Sequence, residues 1–162
     1  MRVVAFSDTH IATPDTQQWL FGGPVDYSHC YRFIEMMMSN PPDTLICVGD
    51  FCEESWDTPD MWQVLLPEFT GLDVLRLRGN HDPNSGAQNV EIDGVRYEHG
   101  RARPDTIEAV RRKYADQRVV HGHTHGPQQP WPLDLGSLVF TGTYGEILDG
   151  VACLRSVING SS

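Results

Sequence analysis

Short apolar runs alternate with polar clusters along this chain, and nearly every run stops at a group of Asp, Asn, His and Gly. Val3 to Phe6, β-branched and apolar, predicts a buried strand ending in Ser7-Asp8-Thr9-His10. Leu45 to Val48 predicts a second, ending at Gly49-Asp50, and Val74 to Leu77 a third, running to Gly79-Asn80-His81-Asp82. Val119-Val120 predicts a short strand before His121-Gly122-His123-Thr124-His125. Asn89 to Ile92 and Val95 to Glu98 flank Asp93-Gly94, a hairpin signal. Helical spacing falls at Tyr31 to Met38, stopped by Asn40-Pro41-Pro42, at Asp60 to Phe69, and at Pro104 to Tyr114 with Pro near its start. Residues 11–29, rich in Pro, Gly and aromatics, read as a long loop, and Leu138 to Thr141 and Val151 to Val157 read as strands between Gly-rich turns.

Strand and helix alternate early and hairpins follow, which implies an α/β sandwich with mixed sheets rather than one parallel sheet. No repeat or internal boundary interrupts residues 1–158, read as a single domain, and residues 159–162 read as a frayed end. Open α/β sheets place ligands beyond the carboxyl ends of their strands, so the polar clusters are expected to converge.

Composition narrows the function. The chain has 162 residues, 22 acidic and 12 basic, and a formal net charge of −10. That balance argues against an extended nucleic-acid surface, whose affinity comes from clustered cations. No apolar run nears the roughly 18 residues of a membrane span, and Met1 to Asp8 has no basic leader, so a cytoplasmic, soluble protein is expected. Cys30, Cys47, Cys52 and Cys153 form no CxxC pair and read as reduced thiols.

Asp8 and His10, two apart at a strand end, can point the same way, and His123 and His125 repeat the spacing. Asp50, Asn80 and His99 each follow a predicted strand, so two carboxylates, one amide and four imidazoles become available. This oxygen and nitrogen set without thiolate suits divalent Mn, Fe, Co, Ni or Zn. Seven ligands exceed the needs of one ion, whereas two ions sharing a carboxylate would use them all. A lone DxH or HxH arises by chance, but five of the seven histidines lie at such strand ends.

The order of these blocks resembles the calcineurin-like metallophosphoesterases, whose pattern runs DxH, GDxxD or GDxxE, GNHD or GNHE, an isolated H, then GHxH. Here it stands as Asp8-Thr9-His10, Gly49-Asp50-Phe51-Cys52-Glu53, Gly79-Asn80-His81-Asp82, His99 and Gly122-His123-Thr124-His125. The resemblance implies a four-layer α/β/β/α sandwich with two mixed β-sheets. It implies one metal on Asp8, His10 and His125, another on Asn80, His99 and His123, and Asp50 bridging them, with Mn the leading candidate. His81 would contact the phosphoryl group or protonate the leaving oxygen, Glu53 would orient His81, and Asp82 would support its turn. His81, Glu53 and Asp50 are thus the expected catalytic group, with Asn80 and His81 also facing the substrate.

The expected reaction is hydrolysis of a small phosphate ester by a metal-bound hydroxide, leaning to phosphodiesters and cyclic nucleotides. The alternatives are a phosphomonoesterase on small molecules or phosphoproteins, and a non-catalytic scaffold of the same fold such as a retromer subunit. A nuclease is disfavoured by the acidic balance, and self-association is compatible with the chain. Arg101 and Arg103 follow His99 and are expected either to reach a phosphate oxygen or simply to face solvent. Trp19, Phe21 and Tyr27 in the 11–29 segment suggest either a base-stacking lid or an aromatic-anchored surface loop. Cys52, Trp56, Trp62, His29 and His121 read as packing or surface residues.

Overall fold

The computed structural model describes residues 1–53, 67–82, 87–100, 106–128 and 131–158. Nine strands form two mixed sheets among the described residues. The first sheet contains β1 (Arg2–Phe6), β2 (Thr44–Cys47), β3 (Val74–Arg76), β8 (Thr143–Leu148) and β9 (Val151–Ser156), ordered β3-β2-β1-β8-β9. β1, β2 and β3 run parallel, and β8 and β9 are antiparallel additions. The second sheet, β4-β5-β6-β7, contains β4 (Asn89–Ile92), β5 (Val95–Glu98), β6 (Val119–His121) and β7 (Leu133–Asp134).

Side-chain alternation along β1 assembles the layers. Val4 and Phe6 point to one face, against Phe33, Ile34 and Met37 of α2 (Ser28–Ser39) and Leu138 of α4 (Leu138–Thr141). Val3 and Ala5 point to the other, where they meet Val95, Tyr97, Val120 and Leu133 of the second sheet. Behind that sheet, Val110 and Tyr114 of α3 (Ile107–Lys113) and its C-cap pack on Val119. The expected α/β/β/α layering is thereby present.

Two expectations are corrected. The 11–29 segment contains α1 (Pro14–Phe21), because Thr13 caps it by accepting from the Thr16 amide, Pro14 suits the first turn, and Gly22 closes it at φ +74°. Leu138–Thr141 is a helix, not a strand. Ser137 Oγ accepts from the Phe140 amide at 3.3 Å and Gly142 turns the chain at φ +66°, so local capping outweighs the β-propensity of a short apolar run. β8, which the sequence reading passes over, lies beside β1. The predicted helix from Asp60 falls outside the described residues until Pro67–Gly71, a 3₁₀ turn, and Arg101, Arg103, Trp56 and Trp62 also lie outside them. No described helix is long and apolar enough to cross a membrane.

Candidate metal centre

The loops after β1 and β2 run side by side as an extension of the parallel pairing. Asp8 N donates to Gly49 O at 3.1 Å, His10 N to Asp50 O at 3.1 Å, Ile11 N to Phe51 O at 3.0 Å, and Glu53 N to Ile11 O at 2.8 Å. This fixes the DxH and GDxxE blocks against each other. Asp8, His10, Asp50, His123 and His125 all adopt positive φ, from 47° to 70°. A left-handed conformation costs roughly 1–2 kcal/mol per non-glycine residue. Five such residues in one place are held by the surrounding hydrogen bonds, a pattern characteristic of functional sites.

Asp8, His10 and His125 form one convergent group. His125 Nε2 is 3.1 Å from Asp8 Oδ1 and 3.1 Å from His10 Nε2, while His10 Nε2 is 3.6 Å from Asp8 Oδ1. The other oxygen of Asp8 is already engaged, receiving Ser7 Oγ at 2.5 Å and the His123 amide at 3.0 Å. Asp50, Asn80, His99 and His123 form the second. His99 Nε2 lies 3.0 Å from Asn80 Oδ1, 3.0 Å from Asp50 Oδ2 and 3.2 Å from His123 Nδ1. All seven predicted ligands are therefore gathered into two adjoining groups, supplied by the loops after β1, β2, β3, β5 and β6, the last of which serves both.

Outer hydrogen bonds orient the imidazoles. His99 Nδ1 is 3.0 Å from Val48 O, a carbonyl that can only accept, so the proton sits on Nδ1 and the Nε2 lone pair faces inward. His10 Nδ1 is 2.5 Å from Glu53 Oε1, with the same consequence. Carboxylate oxygens and inward imidazole nitrogens crowd together, an arrangement that calls for positive charge at the centre. The titration directions report that demand. Burial works to raise the Asp8 carboxyl, yet its hydrogen bonds to His10 and His125 hold it far below the usual range. Burial opposes the charge on His10, but Asp8 and Glu53 push it up to about 10. His99 is buried too, and Asp50 raises it in the same way. The donor set thus fits divalent cations, which would take the place of these protons.

His81 stands beside both groups with its Nδ1 2.8 Å from Glu53 Oε2 and its amide donating to Asp50 Oδ1 at 2.9 Å. The Glu53 bond, more than any other influence, raises the His81 pKa. Glu53 is therefore shared between His10 and His81, a double contact the sequence reading had not foreseen. His10, Glu53 and His81 also converge closely enough to hold a cation themselves. Asp82 accepts from the amides of Gly79 at 2.7 Å, Asp50 at 2.8 Å, Phe51 at 2.8 Å and Cys52 at 3.1 Å, clamping the second block to the third. The glycines of the motifs are steric necessities: a Cβ on Gly79 would meet Asp50, and one on Gly122 would meet Ser7 and Asp8.

Several supporting residues had no sequence signal. Ser137 Oγ donates to Asp8 O at 2.7 Å from across the fold. Thr124 Oγ1 donates to Asp134 Oδ2, which ties the HxH loop to β7. Phe140 sits 5.8 Å from the His125 ring and 5.6 Å from Phe21, which is itself 6.1 Å from His10. These two partly exposed rings wall one flank of the first group. Tyr27, by contrast, anchors its loop, donating from its hydroxyl to His10 O at 2.9 Å, and Trp19 faces solvent at 82% exposure. Cys52 is buried packing, while His29 and His121 lie outside both ligand groups.

Residues 1–132 match the calcineurin-like phosphoesterase superfamily domain. Among solved structures, a phosphoesterase from E. coli, YfcE, aligns with a TM-score of 0.61 at 16% identity, over 99% of this chain and 96% of that one. A double mutant of Vps29 from Entamoeba histolytica aligns with a TM-score of 0.51 at 16% identity, over 96% and 97% of the two chains. At such identity these likenesses concern the fold. No curated protein sequence matches the chain significantly.

Proposed function

Since the chain belongs to the calcineurin-like phosphoesterase superfamily and is a metal-dependent phosphoric ester hydrolase, we propose that it cleaves small phosphodiesters at a two-cation centre. Asp8, His10 and His125 would hold one cation and Asn80, His99 and His123 the other, with Asp50 shared by the two. The single observation that carries this is the convergence of these seven side chains into two groups of inward-facing acceptors. When bound, the cations supply charge for the phosphoryl oxygens and acidify a water nucleophile, with Mn the leading candidate and Fe, Ni, Co or Zn sharing the same preferences.

The chain's own residues do the rest. Asn80 and His81 face the phosphoryl group. His81 carries the proton for the departing alkoxide, and Glu53, a positioning residue, keeps that proton in place and the ring aimed. A diester is preferred because the centre is flanked on two sides: Phe21 and Phe140 offer an apolar surface beside His10 and His125, and a cleft opens past Asn80 and His99. A phosphoryl group with two substituents uses both flanks, and a nucleoside suits the aromatic one. The protein is expected to act in the cytoplasm.

A manganese-supplemented panel tests the reading: bis-p-nitrophenyl phosphate, p-nitrophenyl phosphate, and 2′,3′- and 3′,5′-cyclic nucleotides. Faster turnover of the diesters is expected. Preference for the monoester would overturn the diester assignment, and no turnover of any member would favour a scaffold role.

A further inference from the structure

Past Asn80 and His99 lies a cleft of about 360 Å³ whose wall carries Arg78, Arg96 and Lys113. Its lone described carboxylate is Glu98, largely buried, which receives Arg96 Nη2 at 2.5 Å and Lys113 Nζ at 3.0 Å. Tyr114 OH donates to the same carboxylate, fixing it from behind. Among the described residues Arg78 has no acidic partner. Among the described residues the cleft sets three cations against one carboxylate, a surplus of two formal positive charges, in a chain whose net charge is −10. A brace between β5 and α3 would need only Glu98 and one cation. The surplus lines a recess that starts from two proposed metal ligands.

We propose that this cleft is a subsite for a second phosphoryl group carried by the substrate, next to the one being cleaved. A terminal phosphomonoester bears about −1.5 to −2 charge at neutral pH, which matches the local surplus. Arg78 and Arg96 present planar forks suited to its oxygens. The inference rests on the proposed phosphodiesterase reading and narrows it: the substrate class is a diester with a further phosphate on one of its alcohols, such as a phosphorylated nucleoside ester. The phosphorylated end occupies the cationic cleft and the other substituent lies toward Phe21 and Phe140.

A matched pair of chromogenic diesters tests this, thymidine 5′-(p-nitrophenyl phosphate) and its 3′-phosphorylated counterpart, each assayed with Mn²⁺. The 3′-phosphorylated ester is expected to show a kcat/KM about tenfold higher, the scale of one charge-assisted contact. Arg78→Ala should collapse that ratio towards one, mainly through KM, and Arg78→Lys should keep part of it. Equal kcat/KM for the pair in the unmodified protein, or an unchanged ratio in Arg78→Ala, would overturn the subsite. Calorimetric titration of inorganic pyrophosphate into chelator-treated protein gives a readout free of turnover. Binding should weaken about tenfold in Arg78→Ala, and equal binding would overturn the subsite. If neither ester is cleaved while pyrophosphate binding still depends on Arg78, the catalytic reading falls and the anion site stands.

Discussion

Glu53 Oε1 stands 2.5 Å from His10 Nδ1, so the carboxylate expected to serve the proton donor also orients a proposed metal ligand. Its other oxygen holds His81 at 2.8 Å. One side chain thus contacts both the proposed ligand and the proposed proton donor. Its own pKa, which burial works to raise, is driven down to about 2 by the hydrogen bonds to these two histidines. It therefore remains an acceptor across the working pH range.

Glu53→Gln should consequently do two things. Loss of an oriented ligand partner should weaken metal affinity or activity by about 10- to 100-fold. The raised His81 pKa depends first on Glu53, so the alkaline limb of kcat should move to lower pH, as the acid form is lost earlier. A pH–rate profile at saturating Mn²⁺ checks this, and an unmoved limb would separate Glu53 from the proton donor.

His81→Ala should leave metal content intact and slow turnover by about 10²- to 10⁴-fold, most for poor leaving groups. Activated p-nitrophenyl esters should suffer least. Metal analysis of the purified variant is the discriminating measurement, because the closeness of His10, Glu53 and His81 leaves open a ligand role for the ring. Loss of metal would move His81 from donor to ligand.

Metal uptake should depend steeply on pH. His10, pushed up to about 10, is protonated in the metal-free protein near neutrality, and Asp50 raises His99 in the same direction. A cation must displace that proton, so affinity rises as pH rises and binding releases protons. Calorimetry of Mn²⁺ binding in buffers of different ionisation enthalpy measures the release. A heat independent of buffer would contradict it.

Asp82→Ala should destabilise the fold as well as the centre. Four amides lose their acceptor together, and an unsatisfied buried donor costs roughly 1–3 kcal/mol. A lowered thermal midpoint with reduced activity is expected. Full stability with lost activity would make Asp82 a participant rather than a clamp.

The convergence of the expected ligands was legible in sequence because coordination chemistry restricts their type and sheet geometry puts them just after strands, as with Asp8, Asp50 and His123. The β4–β5 hairpin was legible from Asp93-Gly94, which adopts the left-handed turn those residues favour. What stayed hidden depends on contacts between distant residues. Ser137 reaches Asp8 and Asp134 receives Thr124 only after the sheets form. The shared duty of Glu53 and the Phe21–Phe140 wall arise in the same way. Helices α1 and α4 were missed for a local reason, since their Thr13 and Ser137 caps lie in segments whose composition suggests loop or strand.

Asp50→Asn tests the proposed bridge, and it should abolish turnover and reduce metal occupancy, since one carboxylate oxygen faces the His99 group while the other accepts from the His81 amide. The most direct test of the two-cation centre itself is a titration of chelator-stripped protein with Mn²⁺, following bound metal and hydrolysis of bis-p-nitrophenyl phosphate together. Two equivalents bound per chain, with activity absent before addition and appearing as the sites fill, is the predicted result. Undiminished hydrolysis in the stripped protein, or activity complete at a single equivalent, would contradict it.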